Sequence, residues 1–378
     1  MSRCATDYSS IVGISVTSCN NHDVQLGTSV PTIDARGYAQ RFEASGGRRK
    51  RRQRAAVASS GAPRLTRRSD TRSARKGPTH MCGITECIDW LPVVGGWLVK
   101  AWCYYAYVIV FCGSVVNDDA VRLAFIVGFH VLLALLLWSE LATIVTPAPS
   151  VPAYFTLSEL DLQLLQEART EEQRNGFLEI LGRQRGVLTR GLDGAVRYCE
   201  VCRRIKPDRA HHCSVCRRCV LKMDHHCPWF NNCVCFSTYK AFLLTNLYVI
   251  LLSTYALFTA ASHFHEVPWN HWRVTGPAVQ VATMSVVAVA FSVSVGSFFH
   301  FHVTLVARNR TTLESLRSPR FVDKGDTFDI GCSNNFVEVF GRSWLLWLFP
   351  VFTSLGDGSR FPTKLRPHNR EYFRPGAV

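Results

Sequence analysis

Four stretches of this chain are nearly free of charged residues, and each is long enough to cross a bilayer, which takes about 20 helical residues. They run from about Trp90 to Val116, from about Ala120 to Val145, from Ala241 to about Phe264, and from about Thr275 to Val306. A single run of this kind fits the buried helix of a soluble core. Four of them in 378 residues read as a polytopic membrane protein. The expected fold is therefore mainly α, with four transmembrane helices and whatever lies between and around them.

The charge is placed unevenly. The whole chain carries a net +15, with 43 Lys and Arg against 28 Asp and Glu. Residues 1–85 hold the run Arg48-Arg49-Lys50-Arg51-Arg52-Gln53-Arg54 and are rich in Ser, Gly and Ala without apolar periodicity. They read as a disordered basic tail, an extension outside the working fold, with Met81 just upstream of the first span. Beside a membrane, such a tail is drawn to anionic lipid; read alone, the run also fits a nuclear signal. Basic residues on one side of a bilayer mark the cytosol. The tail, Arg183 to Arg218 in the long central loop, and Arg308 to Arg320 after the fourth span all fall on one side, and the acidic Asn117-Asp118-Asp119 turn falls on the other. Both termini are expected in the cytosol. The ranges expected are 1–85 for the tail, 86–146 for spans one and two, 147–240 for the loop, 241–306 for spans three and four, and 307–378 for a cytosolic C-terminal region.

Eight of the fifteen cysteines lie between Cys199 and Cys235. In a reducing compartment such a cluster favours metal over disulfides. Cys199-x2-Cys202 and Cys213-x2-Cys216 each fit two corners of a zinc tetrahedron. The remaining candidates are His211, His212, Cys219, His225, His226, Cys227, Cys233 and Cys235. Two zinc sites take eight of these twelve residues, so four are left over, and at least one Cys and one His are expected among those free for other work. Asp224-His225-His226-Cys227 places a carboxylate, two imidazoles and a thiol side by side at the end of the block.

The run from Tyr198-Cys199-Glu200-Val201-Cys202 through Lys206-Pro207-Asp208-Arg209-Ala210-His211-His212-Cys213 to Asp224-His225-His226-Cys227-Pro228-Trp229-Phe230-Asn231-Asn232-Cys233 resembles the cysteine-rich domain of DHHC protein S-acyltransferases. Thr311-Thr312-Leu313-Glu314 is similar to the family's TTxE motif, and Asn335 to Gly341 to its C-terminal motif. The segment from Trp344 to Gly358 looks closest to the branch that holds the human members numbered two, fifteen and twenty. The resemblance covers about residues 85 to 365.

The resemblance implies a zinc on Cys199, Cys202, His212 and Cys219, and a second on Cys213, Cys216, His226 and Cys233. Both zincs are expected to be structural, in a domain at about 197–240. Asp224, His225 and Cys227 are then left for catalysis: Asp224 orients His225, His225 takes the proton of Cys227, and Cys227 carries an acyl group from long-chain acyl-CoA to a protein cysteine by a ping-pong route. Palmitoyl-CoA is the expected co-substrate. Lys206, Arg209 and His211 are expected at the polar CoA head, and Trp229 at the thioester. Cys103 and Leu252 are expected at the closed end of the acyl cavity, with Leu252 leaving room for chains of sixteen to eighteen carbons. Thr311, Thr312, Glu314 and Asn335 are expected to pack the C-terminal region against the catalytic block.

The partners implied are acyl-CoA, membrane-associated protein substrates and the lipid bilayer, with no nucleic acid; the compartment implied is an endomembrane, the Golgi first, or the plasma membrane. Two departures from the family pattern stand out. Cys235 replaces a glycine, which strains the backbone if that position needs a positive φ, and Thr238 replaces an asparagine. They leave open a catalytically impaired scaffold, alongside a zinc-ribbon binding module. Cys235 is expected to be inert, and Cys82 and Cys87 are juxtamembrane candidates for S-acylation.

Overall fold

The computed structural model describes residues 84–269, 273–274 and 276–366. The basic tail, Met81 and Cys82 lie outside the described residues. Helix α1 (Ile84–Tyr104) runs into a π-helical segment, Tyr105–Cys112. The other long helices are α2 (Asp119–Val145), α5 (Tyr239–Ser262) and α6 (Pro277–Ala307). Between α2 and α5 come α3 (Glu159–Glu167), α4 (Glu171–Gln184) and seven short strands. After α6 follow α7 (Thr312–Leu316), β8 (Arg320–Phe321) and α8 (Cys332–Phe340).

Four helices are long and apolar enough to cross a membrane, Cys87–Cys112, Asp119–Val145, Tyr239–Ser262 and Pro277–Ala307. Their outer faces carry Leu98, Val127, Val131, Phe258 and Val286, all more than half exposed. In water a surface this apolar would associate; in lipid it is the expected one. The inner faces meet in a core of Tyr107, Phe111, Phe129, Ala256, Ala260, Val281 and Met284. Tyr107 stacks on Phe129 with ring centroids 4.4 Å apart. Gly128 lets α2 approach α5, since a methyl there would strike the Tyr255 ring. The first span differs from the single α-helix expected. At Tyr105 the winding loosens to i→i+5 bonds, and Ala106, Tyr107, Val110, Phe111 and Cys112 of this segment are buried.

Local signals set the ends. Asp118 caps α2 by accepting from the N–H groups of Ala120 and Val121, both at 2.9 Å. Thr311 and Glu314 form a reciprocal capping box on α7.

The cysteine-rich block consists of three antiparallel hairpins: β2 (Tyr198–Cys199) with β3 (Arg204–Ile205), β4 (His211–Cys213) with β5 (Arg218–Val220), and β6 (His225–Cys227) with β7 (Asn232–Val234). Strand β1 (Thr189–Arg190) pairs with β8 and ties this loop to the C-terminal region. That region is also fastened to α5, whose Lys240 Nζ donates to the carbonyls of Leu346 and Val351 at 2.8 and 3.0 Å.

Candidate active site and metal centres

The first two hairpins turn in the same way. Arg203 and Arg217, each directly after the second cysteine of a CxxC pair, have φ of 50° and 52°. Such a left-handed residue folds the chain back and leaves both sulfurs on one side. The register then sets the other ligands beside them. His212 lies opposite Cys219, and His226 opposite Cys233. Cross-strand neighbours sit close enough to share one ion.

Two Cys3His sets result, Cys199, Cys202, His212 and Cys219, and Cys213, Cys216, His226 and Cys233, with the ligand atoms of each set within 4.8 Å of one another. In the first, His212 Nδ1 lies 3.5, 3.4 and 3.9 Å from the sulfurs of Cys199, Cys202 and Cys219. In the second, His226 Nδ1 lies 3.7, 3.5 and 3.6 Å from those of Cys213, Cys216 and Cys233. A tetrahedral zinc with ordinary bond lengths requires N···S edges of about 3.5 Å. The donor sets and their dimensions fit two zinc ions, with every corner taken by protein. The sets interleave, because His212 and Cys213 are neighbours in sequence but serve different sites.

The residues left over converge as well. Asp224 is 1% exposed, and its backbone N–H donates to the Val234 carbonyl at 2.9 Å. His225 Nδ1 lies 2.7 Å from Asp224 Oδ2. His225 and Cys227 are two apart on β6 and so share a face, which turns the imidazole and the thiol to the same side. Burial alone would push His225 down; Asp224 and Cys227 outweigh it and lift the imidazole from 6.5 to about 9. Burial would likewise raise Asp224, but the His225 hydrogen bond and charge, the His302 charge and the Thr312 N–H hold it below its ordinary value. With Nδ1 held by Asp224, the other ring nitrogen is the one that can exchange a proton with Cys227.

Thr312 completes the support of Asp224. Its N–H donates to Oδ1 and its hydroxyl to Oδ2, both at 2.8 Å. Behind this lies a buried ionic cluster. Arg209 Nε and Nη2 donate to the two oxygens of Glu314 at 2.9 and 2.8 Å, and Nη1 donates to Asn309 Oδ1 at 2.7 Å. Lys222 Nζ donates to Glu338 Oε1 and Asn309 Nδ2 to Glu338 Oε2, both at 2.7 Å. Asn335 holds α8 to the end of α6 by donating to the Ala307 carbonyl at 2.8 Å.

Cys227 opens onto a cavity of about 950 Å³ between the four long helices. Exposed Trp229 and its neighbour Phe230 line it beside Cys227, and Cys103, Tyr107, Phe129, Leu252 and Met284 line it among the helices.

The residues expected at the CoA head do not stay together. Arg209 is 2% exposed and bound to Glu314 and Asn309, so it braces the fold instead of meeting an anion from solvent. Burial, then the charges of Arg197 and Lys206, pushes His211 down to about 3, so its ring is neutral and offers a hydrogen bond, not a charge. Lys206 is half-buried, and Trp229 is exposed on the turn between β6 and β7. Cys235 is buried and is absent from the residues with positive φ, so replacement of a glycine there brings no backbone strain. Thr238 fills the corner before α5: its hydroxyl accepts from Cys235 N at 2.9 Å and donates to Cys233 O at 2.8 Å.

Sequence reasoning passed over Lys222 and Asn309, which carry no motif spacing of their own, gave Glu338 no role beyond its place in the Asn335 to Gly341 motif, and passed over Lys100, a lone cation inside the first span that pairs with Glu140. His302, near the end of α6, is 1% exposed, with its ring 6.0 Å from that of His225.

A family model described as DHHC palmitoyltransferase matches residues 193–319. Among curated proteins, the chain is 40% identical over 283 residues to palmitoyltransferase ZDHHC20 of Homo sapiens, covering 74% of this chain and 78% of that protein. It is 40% identical over 279 residues to palmitoyltransferase ZDHHC2 of Homo sapiens, covering 73% and 76%. It is 38% identical over 278 residues to palmitoyltransferase ZDHHC2 of Danio rerio, covering 73% and 77%. With the metal sets, the Asp-His-Cys group and the four spans in one chain, these matches identify it as a member of the DHHC palmitoyltransferase family.

Proposed function

We propose that this protein is a membrane-embedded protein S-acyltransferase that moves a long-chain acyl group, palmitoyl in the first instance, from acyl-CoA to protein cysteines through an acyl-enzyme on Cys227. The observation that carries this reading is the placement of Cys227: a thiol on the same face of β6 as an Asp-braced histidine two residues away, lining a largely apolar cavity that runs into the helix bundle.

The chemistry follows from those residues. An ordinary thiol is mostly protonated at neutral pH and needs a base beside it. His225 takes the Cys227 proton, and Asp224 stabilises the imidazolium that forms. The thiolate attacks the thioester carbonyl; the new C–S bond forms as the bond to CoA sulfur breaks, and the proton on His225 passes to the departing CoA thiolate. A substrate cysteine then repeats the exchange in reverse, giving up its proton and releasing Cys227. One thioester replaces another, so no further energy source is required. Each methylene buried in the cavity contributes about 0.8 kcal/mol, which anchors a long chain and favours it over a short one.

The two zincs, held by Cys199, Cys202, His212 and Cys219 and by Cys213, Cys216, His226 and Cys233, would be structural. Each such site supplies about 10–16 kcal/mol to three hairpins that bury little apolar surface. Lys206 is the candidate cation for the CoA head, His211 a neutral hydrogen-bonding group beside it, and Trp229 a wall for the thioester. Thr311 and Glu314 cap and anchor α7 so that Thr312 meets Asp224. The basic residues of the central loop and after α6 support a cytosolic position for this face and both termini; the compartment proposed is an endomembrane, the Golgi first.

The test is a chase. Enzyme loaded with labelled palmitoyl-CoA, freed of excess CoA ester and mixed with a membrane-anchored peptide bearing one cysteine, passes its label to that peptide. Label that stays on the enzyme, or reaches the peptide only while acyl-CoA is present, would exclude the two-step route.

A further inference from the structure

The wall of the acyl cavity holds one charged pair. Lys100 Nζ on α1 lies 2.9 Å from Glu140 Oε1 on α2, with side chains 24% and 6% exposed, and both residues line the cavity. Four of the other polar liners are satisfied close by. Thr245, Asn246 and Ser294 donate to carbonyls of their own helices at 2.9, 2.7 and 2.6 Å. The Tyr107 hydroxyl meets Thr259 at 2.9 Å. Glu140 Oε2 differs: among the described residues it is the cavity-lining side-chain atom that is buried without a hydrogen-bond partner. Leaving a buried acceptor unmatched is destabilising, the more so for a charged one. Apolar replacement of a buried ion pair is often neutral or stabilising, so packing alone does not account for this one.

We infer that Lys100 and Glu140 form a polar subsite that takes a hydroxyl carried by the acyl chain near its thioester end, an inference that rests on the acyltransferase function proposed for Cys227. A hydroxyl both donates and accepts. Glu140 Oε2 offers the acceptor, and the ammonium of Lys100 has N–H groups to give. A ketone could not satisfy the carboxylate, and a second carboxylate on the chain would be repelled by it.

The depth of the pair fixes the position. Asn232 faces Cys227 across the β6–β7 hairpin, and its amide donates to the carbonyls of Thr143 and Thr146 at 3.0 and 2.8 Å. Those carbonyls therefore mark the level of Cys227. Glu140 lies three residues further into α2 than Thr143, about 4.5 Å deeper at 1.5 Å per residue. That is beside the first few carbons of a chain attached to Cys227. Phe129 lies eleven residues further into α2 than Glu140; at that depth the Tyr107 hydroxyl is taken by Thr259 and, among the described residues, no charged pair lines the cavity to hold a hydroxyl on the last carbon. The hydroxyl takes no part in the transfer; bond making and breaking at Cys227 are unchanged.

The test is a competition. Full-length protein is labelled with radioactive palmitoyl-CoA in the presence of unlabelled palmitoyl-CoA that is plain, or hydroxylated on its third or its last carbon. The readout is each hydroxylated competitor's half-inhibiting concentration relative to the plain one, so a general change in activity cancels. The third-carbon compound should compete within about twofold of the plain one, and the last-carbon compound about tenfold less well. In the double variant Lys100→Leu/Glu140→Leu, changed together so that no buried charge is stranded, the third-carbon compound should weaken about tenfold relative to the plain one. A milder double variant, Lys100→Met/Glu140→Gln, retains an acceptor and a donor and should keep the preference, which guards against misfolding of the first. Equal weakness of both hydroxylated compounds in the natural protein would overturn the inference and leave a subsite for water only. An unchanged preference in the Leu/Leu protein, or its loss in the Met/Gln protein, would also overturn it. Absence of palmitoyl label from every preparation would instead count against the acyltransferase function.

Discussion

Thr312 grips both oxygens of Asp224, its N–H on Oδ1 and its hydroxyl on Oδ2, each at 2.8 Å, across 88 residues of chain. The carboxylate that orients His225 is thus held from the far side of the fourth span. Thr312→Val keeps the shape and the backbone bond but removes the hydroxyl. A hydrogen bond to a charged group contributes about 1.5–3 kcal/mol, so the acylation rate should fall about tenfold to a hundredfold. Zinc content and acyl-CoA affinity should not change. Rapid-quench acylation and an acyl-CoA titration check this; weakened acyl-CoA binding at an unchanged rate would contradict it.

Arg209 acts as a brace and not as a CoA ligand, because its guanidinium is committed to Glu314 and Asn309. Arg209→Met would strand Glu314 in a buried site, which costs about 3–5 kcal/mol. The expected result is a large fall in thermal stability. Lys206→Met, in contrast, should weaken CoA-ester binding with little change in melting temperature. The two roles would be reversed if Arg209→Met melted normally and lost only affinity.

The Glu338–Lys222 pair gives the fold an acid-side pH dependence. Burial alone would raise Glu338 from 4.5, but Lys222, Arg209 and the hydrogen bonds hold it below that value. A carboxylate depressed in the folded state stabilises fully above its unfolded value and loses that contribution as pH falls through the folded one. Compared with Glu338→Gln/Lys222→Met, the natural protein's stability should drop more steeply below about pH 4.5. Parallel melting curves across that range would show that the pair is not depressed.

Leu252 lines the same cavity as Cys103, so bulk added there should shorten the chain accepted. Leu252→Tyr that removes room for two methylenes costs about 1.6 kcal/mol, or roughly tenfold against the longest chains. Competition among acyl-CoA esters of fourteen, sixteen and eighteen carbons should show preference moving toward fourteen. An unchanged order would place Leu252 away from the chain.

Much of this was legible in the sequence because the signals were local. A CxxC pair states its own geometry, and the ligand surplus in the cysteine block announced that some residues had another role. The long apolar runs located the spans to within a few residues at most ends. Arg209 misled for a physical reason. A cation in a polar loop reads as solvated, and its partners Glu314 and Glu338 lie more than a hundred residues away, joined only by the docking of α7 and α8. The π-helical segment after Tyr105 leaves no mark in residues that suit an ordinary helix equally well. Lys100 and Glu140 were each visible as lone charges in apolar runs, but one-dimensional spacing could not pair them.

The most direct test of the central claim uses purified protein, labelled palmitoyl-CoA and hydroxylamine, with zinc measured on the same samples. The account predicts hydroxylamine-sensitive label on the natural protein, none on Cys227→Ser, and the same zinc content in both; Cys213→Ser should lose zinc and fold poorly. Label that persists in Cys227→Ser, or zinc loss there equal to that in Cys213→Ser, would contradict it.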